Sequence, residues 1–77
     1  MSKEVKITAS ISTNPTFSER YFLDMRDVTN GRNRQLTTRH LDADGAGNFL
    51  VKATAAAQAN GVELTFVDET GELSYLV

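Results

Sequence analysis

His40 is the one side chain in this sequence whose ordinary pKa lies near neutrality. Thr38 and Asp42 stand two residues to either side of it, so a hydroxyl, an imidazole and a carboxylate are close along the chain. A nucleophile–histidine–acid relay needs the three converging in space, each within hydrogen-bond reach of the next. In a strand, however, residues two apart share a face without pointing at one another. His40 is therefore read as a packed, hydrogen-bonded histidine, at least partly buried, and no catalytic residue is expected. The chain is expected not to be an enzyme.

Asp42-Ala43-Asp44-Gly45-Ala46-Gly47 carries oxygen ligands at positions one and three and glycine at six, as an EF-hand loop does. Position five is Ala46 and position twelve is Ala53, where a bidentate glutamate is needed, so calcium chemistry is not expected. The segment reads better as the capped entry to a helix. The same glycines could offer backbone amides to an anion, but the lysine and hydroxyl residue of a P-loop are missing, as is the third glycine of a dinucleotide fingerprint. With no cysteine and a single histidine, a structural zinc site is excluded. No cofactor or metal is expected.

What remains is surface. Five arginines and one phenylalanine fall between residues 20 and 40, and arginine beside an aromatic ring is the usual make-up of a binding hot spot. Their use depends on the elements that carry them. Val5, Ile7, Ala9 and Ile11 alternate with Lys6, Thr8 and Ser10, the period of a strand with one apolar face. Arg20 to Val28 alternates again, with Tyr21, Leu23 and Met25 on one side and Phe22, Asp24 and Arg26 on the other. Asn30-Gly31 supplies the two positive-φ positions of a type I′ hairpin turn. A two-residue turn there predicts Met25 opposite Leu36, Leu23 opposite Thr38 and Tyr21 opposite His40, with Phe22 facing Arg39 on the outer side. A slip of one residue would exchange the faces.

From Asp42 the alternation gives way to an alanine-rich stretch that ends at Asn60-Gly61. It predicts one helix with Asp42 or Asp44 as N-cap and Gly61 as the left-handed residue past its end. Phe49, Ala53 and Ala56 or Ala57 should face the sheet. Val62, Leu64 and Phe66 then alternate, and Leu73, Tyr75 and Val77 do so again after a turn from Asp68 to Gly71. The expected fold is α+β, ordered β-β-β-α-β-β: a five-stranded antiparallel sheet, order 3-2-1-5-4, with one helix on one face. Residues 1–77 are too few for a second domain.

Net charge is −2, but it is unevenly distributed: +2 over residues 19–40 and −5 over residues 41–77. No apolar run is long enough for a signal peptide or a membrane span, and the absence of cysteine suits the cytoplasm. The functional expectation is a small non-enzymatic module that binds another protein or associates as a homodimer. Small domains without chemistry often serve phages and mobile elements as accessory or inhibitor proteins that occlude a host or defence protein. The expected protein-binding residues are Phe22, Arg26, Arg39 and Gln35, on the sheet face away from the helix, with Arg34 of the same arginine-rich hairpin, meeting an acidic or polar partner surface. The alternative is a single-stranded nucleic-acid or nucleotide-binding domain on that same open face. One aromatic residue, interspersed Asp24 and Glu63, and a negative total all oppose it.

Overall fold

The computed structural model describes residues 3–12 and 19–73. Four strands and one helix make an α+β fold: β1 (Glu4–Ile11), β2 (Tyr21–Asp27), β3 (Arg34–Leu41), α1 (Ala43–Ala59) and β4 (Glu63–Asp68). The sheet order is β3-β2-β1-β4. β1–β2 and β2–β3 are antiparallel, whereas β4 runs parallel to β1, so the sheet is mixed and the all-antiparallel expectation is corrected. The cause is the helix. A chain that leaves β3 and returns through a single helix re-enters the sheet in the direction of β3, which is also that of β1. Beside β1, its apolar residues come into line, Leu64 with Val5 and Phe66 with Ile7. The described residues contain four strands rather than five. Of the expected last strand, Leu73 lies in a bend, fully buried against the core, and residues 74–77 fall outside the described part.

The core is the helix-facing side of the sheet closed by α1. Ile7, Ala9, Tyr21, Leu23, Ala46, Leu50 and Leu73 form one buried cluster, with Met25, Leu41, Phe49, Ala53, Leu64 and Phe66 packed around it. The alternation of β1 is realised as expected in Val5, Ile7 and Ala9, while Ile11 at the strand end remains 43% exposed.

The helix ends follow from local chemistry. The Asp42 side chain accepts the Gly45 amide at 2.7 Å, which caps one orphan donor. A Cβ at Gly45 would come within 3.3 Å of Leu41 Cβ, so the residue is small because the chain turns tightly there. At the other end Gly61 takes φ 65°, the Val62 amide reaches the Ala57 carbonyl at 2.8 Å, and the Gly61 amide reaches Gln58 at 3.4 Å. That is a Schellman motif, made affordable by glycine.

The β2–β3 hairpin agrees with the sequence at its tip and departs from it further along. Asn30 (φ 54°, ψ 36°) and Gly31 (φ 81°) occupy the left-handed region between a Thr29 carbonyl and an Arg32 amide 3.0 Å apart, the type I′ geometry expected. The pairs Asp27–Arg34 and Arg26–Gln35 follow the predicted register. A bulge then intervenes between Met25 and Arg26, and beyond it Met25 pairs Thr37, Leu23 pairs Arg39 and Tyr21 pairs Leu41. The predicted pairings of Met25 with Leu36, Leu23 with Thr38 and Tyr21 with His40 are therefore overturned. The physical reason lies in β3 itself. Leu36 and Leu41 are five residues apart and would lie on opposite faces of a regular strand. One extra residue brings Leu41 beside Tyr21 against the core while Leu36 stays on the helix side near Met25.

Candidate protein-binding surfaces

The bulge redistributes the residues expected to act together. His40 moves to the open face, where it is exposed and lies directly across from Phe22. Their rings are 4.9 Å apart between centroids and tilted by 48°, and Ser12 Oγ lies 3.4 Å from His40 Nδ1. The expected buried histidine is thus corrected. Arg39 moves the other way, beside Leu23 on the helix side at the sheet edge, and the expected Phe22–Arg39 stack does not form.

On the open face the remaining groups are largely satisfied. Arg26 Nε donates to Asp24 Oδ2 at 2.7 Å, and its Nη1 donates to Asn33 Oδ1 at 3.2 Å. Asp24 Oδ1 is buried without a hydrogen-bond partner. Gln35 is exposed beside Arg26, whereas Arg34 pairs with Asp27 on the other face. The five candidates are therefore split: Phe22, Arg26 and Gln35 share the open face, and Arg34 and Arg39 share the helix side. A hollow of about 190 Å³ lined by Ser10, Ile11, Phe22 and His40 lies beside the ring pair. It is too small for anything beyond one side chain.

A larger concavity lies on the helix side. Between the C-terminal half of α1 and the sheet runs an open groove of about 450 Å³, with Val5, Met25, Leu36, Ala53, Ala57 and Leu64 in its wall. Its helix wall is made of alanines, Ala53, Ala56 and Ala57, whose short side chains leave the space in front of the sheet unfilled. Leu36 is 41% exposed and lines this groove, so its apolar surface is continuous with the concavity. Lys3 and Asn60 are the polar residues of its wall. This groove was not anticipated from the sequence. The signals were present in the alanine run and in the odd spacing of Leu36 and Leu41, but uniform alternation conceals the second.

Three arginines lie near Leu36 in the chain, Arg34 and Arg39 on β3 and Arg32 in the turn before it. Arg32, Arg34 and Arg39 are exposed, and the described ion pairs, Arg20–Glu72 at 3.0 Å and Arg26–Asp24 at 2.7 Å, involve none of them. Arg39 instead folds along its own strand, donating from Nη1 to Thr37 Oγ1 at 2.6 Å and to the Thr38 carbonyl at 2.8 Å. Arg20 is held further above its usual pKa, first by its hydrogen bond to Glu72 and then by that residue's charge.

Two aspartates organise the loops at the sheet ends by the same local pattern, Asp-x-Thr. Asp27 Oδ1 accepts from the Thr29 hydroxyl at 2.6 Å and the Thr29 amide at 3.0 Å, and these bonds hold its carboxyl below the ordinary range. Asp68 Oδ1 accepts likewise from Thr70, and its Oδ2 accepts the Leu73 amide at 2.8 Å. Among the described residues no group of three or more His, Asp or Glu side chains is placed to hold a metal ion, and no helix is long and apolar enough to cross a membrane. Comparison with known proteins finds no matching family model, no similar curated protein and no similar solved structure.

Proposed function

We propose that this protein is a non-catalytic protein-binding module whose partner seats an apolar side chain in the groove between α1 and the β2–β3 side of the sheet. The observation that carries this reading is Leu36, left exposed at the mouth of an apolar groove of about 450 Å³. Exposed apolar surface joined to a concavity and rimmed by polar residues is the usual mark of a protein or ligand contact. The wall offers few polar groups to orient a small molecule, which favours a macromolecular side chain as occupant. Exposed Arg32, Arg34 and Arg39 on the same hairpin as Leu36 favour a partner that surrounds that anchor with carboxylates. A module of this kind acts by occupying a surface of its partner, the mode of an accessory or inhibitor protein. The open face, with its mixed charges and single ring pair, is the weaker surface for a protein and weaker still for nucleic acid.

A photo-crosslinking residue placed at position 36, with the same residue at position 22 as control, tests this in cells that contain the native partner. Adducts are expected at 36 and not at 22. Ala56→Leu, which fills the groove from an exposed helix position with another good helix former, should abolish the adduct while leaving thermal unfolding almost unchanged. An adduct at 22 alone, one destroyed by nuclease, or one indifferent to Ala56→Leu would overturn the reading.

A further inference from the structure

We propose that the outer edge of β3 accepts an extended acidic segment of the partner as an added strand, and that Arg39 is the gate that admits chains bearing carboxylates. This rests on the protein-binding reading above and names the partner's chemistry. Among the described residues β3 is the outermost strand and pairs only with β2, and residues 34–36, 39 and 40 are exposed. An edge strand presents unpaired backbone groups to any extended chain, and folded proteins guard such edges with bulges and charged side chains. Both guards are present here. The bulge interrupts the strand at Leu36, and the Arg39 guanidinium covers the Thr38 carbonyl.

The second guard can be displaced, but only by one kind of chain. Both acceptors that hold Arg39, a threonine hydroxyl and a backbone carbonyl, are neutral. A carboxylate adds a full opposite charge and can take two guanidinium N–H groups at once, which neither neutral acceptor supplies. An incoming acidic strand therefore draws Nη1 away and leaves the Thr38 carbonyl open to the partner's own N–H. A neutral strand offers nothing in exchange, and a basic one is repelled.

The register also predicts spacing. Arg34 and Arg39 are both on the helix side, opposite Asp27 and Leu23. They are five residues apart in the chain, but the bulge consumes one, so the partner positions facing them are four apart, roughly 13 Å at 3.3 Å per residue. The position midway faces Thr37 and the exposed Leu36 at the groove mouth. The segment recognised thus has the pattern acid, any residue, apolar, any residue, acid.

The probe is a fluorescent ten-residue threonine-rich peptide with two glutamates four apart and a leucine midway, compared with its glutamine counterpart. The wild-type protein should bind the glutamate peptide at least about tenfold more tightly, with affinity falling as salt is added. Backbone amides within residues 37–41 should gain protection from hydrogen exchange in the complex. In Arg39→Ala, an exposed change whose folding is checked by circular dichroism, the preference should shrink to about threefold or less. Equal affinity for both peptides, no binding of either, or binding without protection along residues 37–41 would overturn the proposal. If crosslinking at position 36 still captures a partner, the edge proposal alone falls; if it does not, the protein-binding reading falls with it.

Discussion

Replacing Asp68 by Asn should weaken the fold by an amount that depends on pH. The carboxylate divides its two oxygens between the Thr70 hydroxyl and amide on one side and the Leu73 amide on the other, and Leu73 is a fully buried core residue. Asparagine keeps one acceptor for Thr70 but turns an NH₂ toward the Leu73 N–H, so the bond that holds the loop over the core is lost. A hydrogen bond to a charged group contributes about 1.5 to 3 kcal/mol. In a domain of this size each kcal/mol moves Tm by about 4 to 8 °C, so the variant should melt at least roughly 6 °C lower at pH 7. Burial by itself raises the Asp68 carboxyl, but the Thr70 hydroxyl and the amides of Leu73, Thr70 and Gly71 outweigh it and hold the pKa below the ordinary carboxylate value. The folded state then binds the proton less readily than the unfolded chain. Its stabilisation is complete above the unfolded pKa of about 3.9 and is lost as pH falls through the lower folded value. The Tm gap between wild type and Asp68→Asn should accordingly narrow as pH falls from neutrality to about 2.5, below the unfolded value. Thermal unfolding followed by circular dichroism at both pH values measures it. Equal melting at pH 7, or a gap that persists unchanged in acid, would refute the reasoning.

Leu23→Ala removes a side chain with no exposed area from the centre of the cluster, at a cost of about 2 to 5 kcal/mol; since a chain this small has roughly 3 to 5 kcal/mol in total, far-ultraviolet circular dichroism should show it largely unfolded at 25 °C. Asn30 holds φ 54° in the type I′ turn, so Asn30→Val should cost about 1 to 2 kcal/mol in urea unfolding while Asn30→Gly costs almost nothing; equal losses would mean that the Asn30 side chain and not its backbone matters. His40→Ala removes an exposed ring contact with Phe22 and a long 3.4 Å contact with Ser12 Oγ and should lower stability by about 1.5 kcal/mol at most, a larger loss pointing to a buried role that the register denies it.

Local rules read from the sequence were realised where the relevant interaction spans only a few residues. The Gly61 terminus and the Asn30-Gly31 turn each depend on one residue's conformational preference and on neighbours within a turn, so residue type alone determined them, and it narrowed the helix cap to Asp42 or Asp44, of which Asp42 is the one realised. The apolar face of β1 was equally legible, because Val5, Ile7 and Ala9 follow an unbroken period. The sequence also determined that one helix follows three strands, and that this helix carries little bulk on its inner side.

Tertiary structure decided the rest. Whether β4 lies parallel or antiparallel to its neighbour depends on where the helix deposits the chain, and no local pattern in Val62 to Phe66 differs between the two outcomes. The bulge arose because Leu36 and Leu41 both sought the helix side from positions of opposite parity, a conflict visible only once β2 and the core stood against β3. That one extra residue sent His40 out to Phe22 and Arg39 to the edge, so the candidate surface could not be assembled by alternation alone. The groove at Leu36 belongs to the same class. It is the space left between short alanines on a helix and the apolar residues of the sheet, and its volume exists only where the two elements meet.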